Sequence, residues 1–108
     1  MALNAQQITT SPLVVTLPAV TAPSIGNAIT SIIICNTSSS VTDTVTVWAV
    51  PSGQSASTVN MIINALPVPP TETVSLDQEK LVLGTGDAVY VQAGATSNLS
   101  IVVSSLPV

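Results

Sequence analysis

A chain of 108 residues is one domain, and a chain of that length can bury roughly 65% of the surface its unfolded form exposes. Its net charge of −4, with Lys80 as the single basic residue, excludes phosphate-backbone binding, which needs cations to displace counterions, and disfavours an anionic membrane surface. It has no histidine, so the usual proton shuttle, the commonest metal ligand and an ordinary Ser-His-Asp triad are all missing; a lone Cys35 excludes an internal disulfide.

Residues 1–27 are weakly patterned and broken by Pro12, Pro18 and Pro23. They are expected to form an extended N-terminal arm, with a short strand at Leu13–Leu17. From residue 28 onward the strand signals are strong. "AITSIIICN" is apolar on both faces near its end, as a central strand is. "NTSSS" is a turn. "VTDTVTVWAV" alternates, with Val41, Val45, Val47 and Ala49 on one face and Thr42, Thr44, Thr46 and Trp48 on the other. "PSGQSAS" is a loop and "VNMIINALPV" a strand. After the "PP" turn, "TETVSL" and "LVL" are strands separated by the "DQEK" turn. "GTGD", "AVYVQA", "GATSN" and "LSIVVSSL" then read as turn, strand, turn and strand.

The expected fold is therefore all-β: a single β-sandwich or jelly-roll-like domain over residues 28–108, of about seven or eight short antiparallel strands, behind the arm. The chain is 46% hydrophobic and 6% charged, against about 25% charged in an ordinary soluble domain. So few charges leave sheet faces and edges unguarded, and the chain is expected to be part of an assembly. No apolar run reaches the length of a membrane span, and "MALNAQQITTSPLVV" lacks the basic and apolar regions of a signal peptide. Synthesis in the cytosol is the expectation.

Catalytic, cofactor and metal sites are not expected. Cys35 follows the apolar run "III" with no histidine to activate it, and reads as an inert thiol. The acids Asp43, Glu72, Asp77, Glu79 and Asp87 sit at turns or alternate along a strand, without the facing pair a glycosidase needs or the oxygen-rich cage of a calcium site. "GTGD" lacks the following helix of a phosphate-binding loop. The sequons at Asn36 and Asn98 are discounted in so Ser/Thr-rich a chain. Contact residues are the better candidates. If the valine faces point to the core, Trp48 and Tyr90, the only aromatics, both point outward, and aromatic rings are favoured interface anchors. Leu13, Val14, Val15 and Leu17 of the arm join them as interface candidates.

The order of Asn36-Thr37, Val50-Pro51-Ser52-Gly53, Asn60, Leu81-Val82-Leu83 and Gly86-Asp87, over about residues 30–105, resembles small β-sandwich virion structural proteins of tailed bacteriophages. The family's usual glycine after Val-Pro-Ser-Gly is Gln54 here. The resemblance implies a head decoration or cement protein on the capsid surface of the virion. It would be a homotrimer bound to the major capsid protein, with the Met1–Pro23 arm strapping neighbouring subunits by strand addition. Other expectations are a tail, baseplate, fibre or head–tail adaptor component of the same fold, and a carbohydrate-binding module using the two exposed aromatics.

Overall fold

The computed structural model describes residues 2–15, 17, 23–76, 81–94 and 98–108. The "DQEK" turn with Asp77, Glu79 and Lys80, the centre of the "GATSN" turn, and Pro18 lie outside the described residues. The described chain is all-β: β1 (Ala2–Gln7), β2 (Leu13–Val14), β3 (Gly26–Asn36), β4 (Asp43–Val50), β5 (Met61–Val68), β6 (Thr73–Leu76), β7 (Leu81–Gly84), β8 (Ala88–Ala93) and β9 (Leu99–Pro107).

These strands form two antiparallel sheets. The first has the order β1-β9-β3-β6, with β7 also pairing β3; the second has the order β2-β8-β4-β5. The pairs are nested. β4 pairs β5, β3 pairs β6 and β7, β2 pairs β8, and β1 pairs β9. A long antiparallel hairpin rolled on itself gives this order, with β3–β9 and β4–β8 contacts closing the roll, which is the wrap of a jelly roll.

Alternation decides which side chains fill the space between the sheets. Ile29, Ile32 and Ile34 of β3 and Leu99, Ile101 and Val103 of β9 project from one sheet; Val45, Val47, Val89, Val91 and Ala93 project from the other. Thr30 is a one-residue bulge against β9, which is how Ile29 and Ile32 both face inward. With no Phe and one Trp, the core is made of β-branched and Leu side chains, each contributing about 1.5–3 kcal/mol when fully buried. Gly26 allows β3 and β7 to close: a β-carbon there would overlap the Leu83 carbonyl oxygen.

The described part of the first 27 residues is extended and is paired into both sheets. β1 runs along β9 in unbroken register from Ala2↔Ser105 to Gln7↔Ser100. The chain then crosses between sheets. Thr9 accepts the Ala93 N–H at 2.8 Å, Gln92 Nε2 donates to the Thr10 carbonyl at 2.8 Å, and β2 adds to β8. Gln6 Nε2 donates back to the Val14 carbonyl at 3.3 Å, joining the two edges. Ile8 and Val15 are buried in the core. The reason is backbone satisfaction: without β1 and β2, the outer edges of β9 and β8 would carry unpaired N–H and C=O groups. A strap made by releasing this segment would expose both edges.

Truncation to residue 16 should therefore abolish the cooperative thermal transition rather than leave a folded domain. Ile8→Ala should cost about 2–5 kcal/mol. Denaturant unfolding followed by circular dichroism checks both, and a truncated protein that still melts cooperatively would restore the separate arm.

Candidate interaction surface

Two faces point away from the core. On the sheet of β2, β8, β4 and β5, Trp48 lies directly opposite Tyr90 on one side and Met61 on the other, while Tyr90 is opposite Val14. Val14, Tyr90, Trp48 and Met61 thus make one apolar row across all four strands. The sequence placed Trp48 and Tyr90 on the outward face, and the register puts them side by side. Trp48 is nonetheless only 6% exposed, Tyr90 and Met61 are half-buried, and Val14 is exposed. Among the described residues, Trp48 Nε1 is buried without a hydrogen-bond partner. Such an orphan donor costs about 1–3 kcal/mol. The indole is therefore covered within its own chain, and Tyr90 and Val14 are the accessible part of the row.

The remaining candidates divide by register. Leu13 is opposite Val91 and faces inward, Val15 is in the core, and Leu17 packs against it. Val15 and Leu17 are used inside the sandwich, Leu13 is half-buried on the inward side, and Val14 is the exposed one of the four.

The outer face of the other sheet was not singled out from the sequence. It carries Leu3 (71% exposed), Val82 (69% exposed), Ile33 and Leu106, with Ala28 between Val82 and Leu106 across the strands. Ala5, Val102 and Cys35 also lie on it, and serine, threonine and glutamine make up most of the rest. Asp43 is the only charged residue in any of the nine strands, and it is buried with Oδ1 accepting the Thr44 N–H at 2.8 Å. Alternation reveals this face only once the Thr30 bulge is known, because residues 28 and 33 differ in parity and the bulge puts both opposite the core positions.

The polar residues of the motifs hold turns. At one end, buried Asn36 donates through Nδ2 to the carbonyls of Val41 at 2.8 Å and Val68 at 2.9 Å, and its Oδ1 accepts the Ser38 N–H at 2.9 Å. The amide ties the end of β3 to the end of β5 in the opposite sheet. Thr37 Oγ1 donates to the Asn98 carbonyl at 2.8 Å beside it. At the other end, Asp87 accepts the Gly84 N–H through Oδ2 at 2.9 Å and the Ser52 N–H through Oδ1 at 2.8 Å. This carboxylate fastens the Pro-Ser-Gly turn to the Gly-Asp turn. Gly86 has φ +86°, and a β-carbon there would overlap Ser52 Oγ, so only glycine suits the close approach. Asn60 organises the loop between β4 and β5, with Nδ2 donating to the Ser55 carbonyl at 2.9 Å and Oδ1 accepting the Ser57 N–H at 3.0 Å.

Two small concavities lie among the described residues. A slot of about 150 Å³ lined by Ile32, Ile62, Ile63, Leu76 and Leu81 opens between β5 and the β6/β7 edge, and another of about 170 Å³ lies beside Pro51 and Asp87. Both fall below the roughly 300–1,000 Å³ of a small-molecule site. No three His, Cys, Asp or Glu side chains gather in metal-binding reach among the described residues. Cys35 is half-buried on the outer face of β3. The buried, fully engaged amide of Asn36 is closed to glycosylation.

Asn36→Ala should destabilise the fold by about 2–4 kcal/mol, since it leaves the Val41 and Val68 carbonyls without their donor. Asp87→Ala should cost less, about 1–2 kcal/mol, because its partners are solvent-exposed. Urea unfolding ranks the two, and equal losses would contradict the difference in burial.

No family model, curated protein or solved structure matches this chain.

Proposed function

We propose that this protein is a structural component of a bacteriophage particle: a capsid decoration or cement protein that binds the outer surface of the major capsid protein shell and stabilises it. The observation that carries the reading is the absence of any exposed charge from the nine strands. Charged faces and edges are how soluble β proteins resist association. A sandwich whose outer faces offer only aliphatic, hydroxyl and amide groups is suited to lie against protein. The nested strand order adds support by analogy, since jelly rolls serve as capsid domains, though also as lectins. The shortage of cations suits the outside of a shell, away from packaged nucleic acid. The protein acts without catalysis or cofactor, as a homo-oligomer. Its contact surface is the Leu3–Ile33–Val82–Leu106 face, with Tyr90 and Val14 on the opposite sheet.

Copy number in purified particles tests the location. Hundreds of copies are expected; about a dozen or fewer would move the protein to the tail, baseplate, fibre or head–tail adaptor. A second test alters the face. Val82→Glu puts a charge on a well-exposed position, so stability should change by no more than about 0.5 kcal/mol. Capsid affinity should fall at least about tenfold, which is about 1.4 kcal/mol of buried-charge penalty. Unchanged capsid occupancy in a titration of purified shells would remove this face from the contact.

A further inference from the structure

We infer that β1 is a self-association edge, on which a second copy of this chain pairs its own β1 antiparallel about a two-fold axis at Asn4. The inference concerns how copies join each other and does not depend on the virion location.

The four other edge strands are each protected. β2 has two residues. β5 slips register twice against β4, contains Pro67, and holds Ala65 at φ +51° with its N–H donated to Thr46 Oγ1. β6 and β7 are four residues each and split one position beside β3. β1 is different. Its six residues, "ALNAQQ", contain no proline and no charge, and its register with β9 has no bulge. It is the long, flat, uncharged edge that soluble β proteins avoid.

The backbone direction follows from one bond. Ile8 donates its N–H to the Leu99 carbonyl at 2.8 Å, in the same register as the β1–β9 ladder. Antiparallel pairing alternates, so Asn4 and Gln6 direct their N–H and C=O groups to β9, while Leu3 and Ala5 direct theirs to the open side. A second β1 centred at Asn4 sets Leu3 of each copy opposite Ala5 of the other. Each crossing exchanges a reciprocal pair of N–H···O=C bonds. The two-fold axis stands perpendicular to the sheet, so both uncharged outer faces lie on the same side and join into one surface.

The side chain at the axis supplies a second, independent observation. Asn4 Oδ1 is buried and, among the described residues, has no hydrogen-bond partner. In the paired edge, Asn4 meets Asn4 of the second copy as a non-hydrogen-bonded backbone pair, with β-carbons about 4.5–5.5 Å apart. Rotation about χ2 then lets each amide donate Nδ2–H to the other's Oδ1. The orphan acceptor is satisfied by the same residue that creates it, as a two-fold contact requires.

Sedimentation equilibrium of the full chain tests this. Wild type should have twice the 10.9 kDa chain mass. Ala5→Pro removes an N–H that points away from β9, so its circular dichroism and melting should match wild type while its mass falls to the monomer. If that variant does not fold, Asn4→Cys in a Cys35→Ser background should form a disulfide-linked dimer under mild oxidation, while Leu106→Cys in the same background should not. A wild-type monomer or trimer at about 100 μM would overturn the pairing, since a contact weaker than that is not a stable one. A dimer indifferent to Ala5→Pro, or no Asn4→Cys cross-link, would overturn it equally.

Discussion

The structure depends on one packing contact: the interleaving of Ile29, Ile32, Ile34, Leu99, Ile101 and Val103 from one sheet with Val45, Val47, Val89 and Val91 from the other. These side chains are similar in size and most are β-branched. They are stiff at χ1, so little side-chain entropy opposes their burial. They also fill the gap between face-packed sheets, about 10 Å, without needing a ring. That explains how a chain with two aromatics in its whole length sustains a core. It also explains why Trp48 need not be in that core and sits on the opposite face of β4.

Closing this layer obliges the chain to supply partners for every interior strand. β9 lies between β1 and β3, and β8 between β2 and β4. Residues 2–15 therefore complete the ladders that the last strand and β8 begin. The two ends of the roll are fastened by single polar side chains rather than by apolar contact. Asn36 spans the sheets at one end and Asp87 joins two turns at the other. Burial makes the first of these the more consequential.

Most of the fold was legible because its strands obey period two. β3, β4, β8 and β9 alternate or run apolar, and Gly, Pro and Ser-rich turns separate them. β1 was not legible. Ala, Asn and Gln are poor strand formers, and its outward residues, Leu3 and Ala5, are more apolar than its inward Asn4 and Gln6. It is a strand because β9 needs one, which is a tertiary cause that local pattern does not contain. Trp48 failed in a subtler way. Parity gave its face correctly, but alternation reports direction and not cover, so its burial came from elsewhere in the chain. Leu13, Val15 and Leu17 show the reverse. Their spacing is that of an inward strand face, yet the prolines around them suggested a free arm.

The residues that make the chain resemble virion proteins have a common physical role. Asn36, Ser52, Asn60, Gly86 and Asp87 all position turns or loops within this chain. A likeness built on such residues speaks first to how a chain folds, and only through the fold to what it does. The functional reading therefore rests on the surface left after those residues are accounted for. That surface has a definite character: uncharged strands, an aliphatic outer face around Ile33 and Val82, and an edge in β1 without a guard. A protein evolving to remain alone in solution gains from a lysine at any of these places at almost no cost to the fold. The proposed role within an assembly would account for their absence from the strands.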